Sequence, residues 1–276
     1  MKVTLIRFSQ TGNTRKVARA MAEALDAAGA RVRSVALKKA RAQDALDADL
    51  IGVGTPCFSS RAPLPVRELL AALPRLDGRR AFVFATSGGG PGRVLYDLAD
   101  ALRQKGADVA GGIVIRGECF HPFPEIYGRF PGRPDAKDLE EARRFARSVF
   151  EHVSAGTPGP LPGTRPDVFR AGGFYNYVAF MNRDDYLRKI LKAPEADPDK
   201  CTRCRWCEYD CPVNNITLDP YPVLGGRCIR CYRCFSGCPE HAFSADLRLG
   251  NLMAVMFYNT LFERYLGDVR KGERFY

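Results

Sequence analysis

Residues 2–29, KVTLIRFSQTGNTRKVARAMAEALDAAG, decide how the first half of this chain folds. Lys2–Phe8 is an apolar-rich run of strand length, and Arg15–Ala28 has the spacing of an amphipathic helix that stops at Gly29. Between them lies Ser9-Gln10-Thr11-Gly12-Asn13-Thr14, rich in hydroxyl and amide groups, with one glycine to let the backbone curl. A turn that opens straight into a helix offers unpaired N–H groups and the positive end of the helix dipole to a phosphate. Neither G-x-x-x-x-G-K nor G-x-G-x-x-G occurs there, so this is not a nucleoside-triphosphate or dinucleotide loop.

The alternation continues outward from this unit. Arg31–Leu37, Leu50–Thr55, Ala81–Thr86 and Val109–Ile115 read as further strands, and Leu64–Leu73, Arg93–Lys105 and Asp138–Val153 as helices. Five strands alternating with helices predict an α/β domain with a doubly wound parallel sheet, whose ligands sit at the carboxyl ends of the strands. Two more loops belong at that edge. Gly54-Thr55-Pro56-Cys57-Phe58 follows the third strand, and Thr86-Ser87-Gly88-Gly89-Gly90 follows the fourth.

The run S-x-T-G-N-T resembles the phosphate loop of the flavodoxin family, which binds FMN. The resemblance implies that Ser9, Gln10, Thr11, Gly12, Asn13 and Thr14 hold the FMN phosphate, in a family that uses few or no basic side chains for it. It further implies flavin contacts from Thr55, Pro56, Cys57 and Phe58, with Phe58 stacked on the isoalloxazine ring, and from Thr86, Ser87, Gly88 and Gly89 along the flavin edge. Read on its own, Phe58 would equally be a core or loop aromatic. The Gly88–Gly92 run has the wrong spacing and place for a nicotinamide fingerprint. Cys57 and Cys119 read as ordinary small residues, and His121, His152 and His241 lack metal-ligand spacing. Two departures stand out. Simple flavodoxins are usually acidic, whereas residues 1–150 hold 25 Lys and Arg against 16 Asp and Glu. The stretch Glu118–Lys137, rich in proline and aromatics, is a loop long enough to expect a function, either covering the flavin or docking the second half of the chain.

That second half is dominated by two cysteine runs, Cys201-x-x-Cys204-x-x-Cys207-x-x-x-Cys211-Pro212 and Cys228-x-x-Cys231-x-x-Cys234-x-x-x-Cys238-Pro239. A C-x-x-C-x-x-C loop can wrap three corners of a cubane [4Fe–4S] cluster, and the last cysteine of each run ligates the other cluster. One cluster is thus expected on Cys201, Cys204, Cys207 and Cys238, and its partner on Cys228, Cys231, Cys234 and Cys211. Structural zinc normally takes one or two C-x-x-C pairs, and a disulfide framework suits small secreted domains. Residues 198–246 resemble a bacterial-type two-cluster ferredoxin, with CTRCRWCEYDCPVNNIT echoed by CIRCYRCFSGCPEHAFS. Such ferredoxins often place small residues after Cys-Pro, where this chain has Val213-Asn214-Asn215 and Glu240-His241. Arg203, Arg205, Arg230 and Arg233 interleave the ligands; unless screened by solvent, their charge would raise the cluster potentials.

The bulk composition fits this division. The chain has 276 residues, 46% of them apolar, and no apolar run of transmembrane length. The apolar stretch in MKVTLIRFSQ is too short for a signal peptide, and abundant thiols point to a reducing cytoplasm. The formal charge of +11 would attract an acidic partner, and without a long basic run nucleic acid is not expected. The expected boundaries are residues 1–153 for the FMN domain, 154–167 for a stiff Pro/Gly-rich linker, and 168–276 for the ferredoxin domain. Phe174–Leu191 and Met256–Lys271 read as helices flanking the cluster core, with apolar faces that need cover from each other, from the FMN domain or, less readily, from a membrane surface or partner.

The whole order resembles the flavodoxin–ferredoxin fusion family: a flavodoxin-like five-stranded domain followed by a small α+β two-cluster ferredoxin domain. The resemblance implies an electron carrier that links a one- or two-electron flavin to one-electron clusters. Its expected partner is a redox protein, either a ferredoxin or an iron–sulfur or radical enzyme. Two other readings stay open at this point: a flavin-dependent reductase of a small molecule such as a quinone, and a redox-responsive binding protein. No acid–base constellation stands out, so no catalytic residue is expected.

Overall fold

The structure, a computed structural model, describes residues 1–124, 126–162, 177, 180 and 182–256. These fall into two units. The first holds residues 1–118 with 130–162, 177 and 180; the second holds 119–124, 126–129 and 182–256.

The first unit is the expected α/β domain. Strands β1 (Lys2–Arg7), β2 (Arg31–Ala36), β3 (Leu50–Pro56), β4 (Arg80–Ser87) and β5 (Asp108–Arg116) form a parallel sheet in the order β2-β1-β3-β4-β5. Helices α1 (Asn13–Ala27), α2 (Ala42–Leu46), α3 (Leu64–Ala72), α4 (Val94–Gln104) and α5 (Ala136–Ser154) connect and cover it. The strands keep within two residues of the bounds read from sequence. The short α2 had no counterpart there, because five residues are too few to establish a helical period.

The sheet's register explains the glycines of β3. Gly54 lies beside Phe84 of β4, and a Cβ on Gly54 would come within 2.0 Å of the Phe84 ring. That ring instead joins Phe82, Leu5 and Val3 in a cluster sealed by Val17, Met21 and Leu25 of α1 and Phe145 and Val149 of α5. Phe82 and Phe84 are both fully buried, each stabilising the fold by roughly 1.5–3 kcal/mol relative to exposure. Val83 points to the opposite face, as the period of two requires, where it and Leu95 of α4 both crowd Gly112 of β5.

Helix α5 begins at Ala136 rather than Asp138 because Asp135 caps it. The Asp135 carboxylate accepts from the N–H groups of Lys137 (2.9 Å) and Asp138 (3.0 Å), and the Asp138 side chain returns the bond to the Asp135 N–H. Helix α1 differs: Gly12 is its N-cap, left-handed at φ 107°, with no side-chain cap. Its first turn faces the carboxyl edge of the sheet, where the Arg15 N–H donates to Ser9 Oγ.

The second unit is built from short pieces: α6 (Asp184–Ile190), β6 (Glu195–Ala196), α7 (Trp206–Asp210), the β7–β8 hairpin (Ile216–Leu218, Pro222–Leu224), α8 (Arg233–Gly237), β9 (Phe243–Ser244) and α9 (Arg248–Ala254). Strands β6 and β9 pair antiparallel. Part of the long Glu118–Lys137 loop belongs to this unit: Phe123 and Ile126 pack with Ile190, Leu191 and Ala254 in one apolar cluster. Of the helix expected over Phe174–Leu191, Asp184–Ile190 is helical, and most of residues 174–181 lie outside the described residues. So do 163–167 of the expected linker and 257–271 of the expected last helix.

Candidate functional site

Three loops meet at the carboxyl edge of the neighbouring strands β1, β3 and β4. Ser9 to Thr14 lead from β1 into α1. The Thr14 hydroxyl, 1% exposed, shares a 2.8 Å hydrogen bond with the Thr86 hydroxyl at the end of β4. The Arg15 N–H donates to Ser9 Oγ (3.3 Å), which closes the turn, and Asn13 Nδ2 donates to the Glu118 carbonyl (2.8 Å) beyond β5. The Cys57 N–H donates to the Thr86 carbonyl (2.8 Å), so the loop after β3 is sewn to the end of β4. Thr55 is fully buried and Pro56 pairs with Thr86 across the ladder.

Phe58 begins a tight hairpin. Phe58 and Arg61 exchange both backbone hydrogen bonds at 2.9 Å, and Ser59 and Ser60 between them are left-handed (φ 47° and 68°). Such residues store roughly 1–3 kcal/mol of strain each, which the surroundings must hold in place. The next loop supplies the hold: the Arg93 N–H donates to the Ser60 carbonyl (2.9 Å), and a Cβ on Gly92 would lie 2.5 Å from that oxygen. The Phe58 ring stands edge-on to Phe8 (centroids 6.1 Å apart). The Ser87 hydroxyl donates to the Gly89 carbonyl (2.9 Å) and shapes the turn through Gly88 and Gly89. Cys57 Sγ lies 3.3 Å from the Pro91 carbonyl, and burial pushes its thiol up to about 12, which keeps it protonated.

The sequence reading missed Arg116. It ends β5, 8% exposed, and Nη1 donates to the Gly89 carbonyl (2.9 Å) under the loop after β4. Its guanidinium lies 4.3 Å from the Phe130 ring centroid. Burial, and then the charge of Arg133, pull it down to about 10. A charged residue closing an apolar strand looks like a boundary in sequence; only the fold buries it. Gly92 was likewise invisible, since its role depends on Ser60 thirty-two positions earlier.

The cysteines gather around two cavities in the second unit. One is lined by Cys201, Cys204, Cys207 and Cys238. The other is lined by Cys211, Cys228, Cys231 and Cys234. The two runs therefore exchange their last cysteines. Among the described residues no three Cys, His, Asp or Glu side chains close on a point as around a single ion. A four-iron cluster is wider and takes its thiolates from around a cavity. The Asn215 N–H donates to Cys211 Sγ (3.3 Å) and the Ala242 N–H to Cys238 Sγ (3.4 Å), the kind of bond that stabilises a thiolate ligand. Burial pushes Cys207 up to about 11 and Cys231 to about 12, and raises Cys234 as well. A positively charged iron core would offset that cost and deprotonate them. The donor set and its spacing suit a cluster.

With a hydroxyl-rich loop between β1 and α1 and cysteines grouped four to a cavity, the family matches make this an electron-transfer protein of the flavo-iron–sulfur class. The Flavodoxin family model matches residues 6–144, half of the chain, and the chain belongs to that family. A 4Fe-4S binding domain model matches residues 194–217, which hold the first cysteine run, as in a flavodoxin–ferredoxin fusion. A flavodoxin of Megasphaera elsdenii is 30% identical over 143 residues, 51% of this chain and 96% of that protein. Among solved structures, a flavodoxin from the domain Archaea is 22% identical, with 56% of this chain and 99% of that one covered and a TM-score of 0.45. A rubredoxin oxygen:oxidoreductase from Desulfovibrio gigas is 20% identical, with 56% and 36% covered and a TM-score of 0.47. No helix among the described residues is long and apolar enough to cross a membrane.

Proposed function

We propose that this chain relays electrons between FMN and two [4Fe–4S] clusters, to or from a partner redox protein in a reducing compartment. The observation that carries the reading is the crossed grouping of the cysteines, three from one run and the fourth from the other around each cavity. Cys201, Cys204, Cys207 and Cys238 would hold one cluster, and Cys211, Cys228, Cys231 and Cys234 the other. Bound FMN exchanges one or two electrons and each cluster one, so the chain supplies positions and electrostatics rather than acid–base chemistry.

Ser9–Thr14 would hold the FMN phosphate at the start of α1, whose N-cap is Gly12. Thr55–Phe58 and Thr86–Gly89 would flank the ring, and their cross-bonding fixes the gap between them before flavin arrives. Phe58→Ala is expected to weaken FMN binding. The deciding experiment is cofactor analysis of protein purified without oxygen. About eight irons, eight sulfides and one FMN per chain support the relay, whereas about four irons would remove the second cluster. Full clusters without FMN, even after reconstitution, would remove the flavin from the reading.

A further inference from the structure

Flavodoxin-type phosphate loops use few or no basic side chains, yet one guanidinium lies over this one and a second arginine ends the strand that leads into it. Arg15 lies in the first turn of α1. Helical side chains lean toward the helix N-terminus, and Arg15 Nη2 lies 3.7 Å from the point where a Cβ on Gly12 would sit. Its guanidinium is thus turned back over the loop. Arg7 ends β1, two residues before Ser9, and is held there by Nε donating to Ser34 Oγ of β2 (3.2 Å). Arg7 is half-buried and close enough to feel the Arg15 charge, and burial and that charge both lower it from its ordinary value.

Two neighbouring cations repel, and a carboxylate normally intervenes. Arg19, Arg33, Arg93 and Arg133 each have one. Among the described residues no carboxylate pairs with Arg7 or Arg15. What would relieve the repulsion is an anion at the loop, and a phosphate dianion accepts guanidinium hydrogen bonds well.

We infer that Arg7 and Arg15 bind the phosphate of the flavin nucleotide and make this chain select FMN over phosphate-free flavin. The inference rests on the FMN reading above and adds a charge-based device to it. Apoprotein is titrated with FMN and, separately, with riboflavin, following the quenching of flavin fluorescence. Arg15→Gln is expected to lower FMN affinity roughly 10- to 100-fold, as loss of a charged hydrogen-bond partner does, and to leave riboflavin affinity unchanged. Arg7→Gln acts in the same direction, and Arg15→Lys recovers most of the loss. Added salt weakens FMN binding more steeply in the wild type than in Arg15→Gln. Arg15 is exposed, so its replacement does not threaten folding. Wild-type FMN-to-riboflavin ratios in both glutamine variants would overturn the inference while leaving the FMN site intact. An apoprotein that binds neither flavin would instead remove the FMN reading, and this inference with it.

Discussion

At the fifth position of each cysteine run the backbone turns left-handed, at Arg205 (φ 62°) and Tyr232 (φ 54°), and there the two halves of the repeat diverge. Arg205 is exposed and pairs with Glu208 at 2.8 Å. Tyr232 is 1% exposed, donates its hydroxyl to the Lys192 carbonyl (2.8 Å) and meets the ring of His121 (centroids 5.2 Å apart) and of Phe123 (6.4 Å). The backbone itself repeats closely: Arg203 and Arg230 are left-handed at 58° and 57°, Asn214 and His241 at 48° and 49°. Ligand spacing thus dictates the cage in both halves, whereas the packing around each cage comes from distant chain. His121 and Phe123 cover Tyr232, which lines the second cavity. Among the described residues nothing comparable covers Cys204, which is exposed, while Cys211, Cys228 and Cys231 are all buried. Two cages of one design therefore sit in different surroundings, and exposure is one of the levers on cluster potential and lability.

The sharpest way to break this comparison is to remove single ligands. Cys211→Ser is expected to empty the same cage as Cys231→Ser, and Cys238→Ser the same cage as Cys204→Ser, each dropping iron from about eight to about four per chain. Low-temperature electron paramagnetic resonance of the reduced proteins reads which cluster survives. If Cys211→Ser instead matched Cys204→Ser, the crossed assignment would be wrong. Loss of the buried cage should also loosen the second unit more, since cluster binding is folding energy there; limited proteolysis compares the two.

Next in size is Phe123→Ala. Phe123 is 7% exposed, lies against the His121 ring (centroids 4.1 Å apart) and packs over Gly250, where a Cβ would come within 2.5 Å of it. Removing the ring is expected to cost the second unit about 3 kcal/mol and to open the Tyr232 side to water. In the wild type, iron loss to a chelator should be biphasic, with the exposed cage emptying first. In Phe123→Ala the slow phase should quicken toward the fast one. A single phase in the wild type would mean that the two cages are shielded alike.

Much of this is legible in the sequence, and the limits have a common physical cause. The strands, the turn into α1 and the repeat of the cysteines are encoded locally, by period, by one glycine, or by spacing. The burial of Arg116, the lock of Gly92 on Ser60 and the placement of Cys119–Arg129 in the second unit all depend on partners far away in sequence. The loop over 118–137 was marked by its length and aromatics, but no period says which side chains Phe123 and Ile126 will meet. Ser59 and Ser60 adopt left-handed backbone without the glycine or asparagine that would have announced it. Even the repeat's asymmetry was half visible: arginine and tyrosine stand at equivalent positions, but only packing reveals that one is solvated and the other enclosed.

Smaller effects separate charge from shielding. Tyr232→Phe removes one buried hydrogen bond and should cost about 1 kcal/mol without changing iron content, which would locate Tyr232's role in anchoring rather than ligation. Thermal unfolding of the loaded protein measures it.

The smallest expected effect concerns the arginines. Arg203 and Arg205 are exposed beside the first cage, with Arg205 paired to Glu208 and the Arg203 guanidinium 5.3 Å from the Tyr221 ring centroid. Beside the second, Arg230 donates to the carbonyls of Leu191 (2.9 Å) and Cys228 (3.3 Å), and Arg233 pairs with Asp210. A cation favours the reduced, more negative cluster, but solvent and salt screen an exposed one. Arg203→Gln with Arg205→Gln should therefore lower only the first cluster's potential, by less than the roughly 60 mV that corresponds to a tenfold change for one electron. Arg230→Gln should lower the second by more, because its charge is half-buried and fixed by backbone carbonyls. Equal shifts from the exposed and the half-buried arginines, in a redox titration resolving both clusters, would show that burial does not set how strongly these charges act. The asymmetry between the cages would then lie in water access alone.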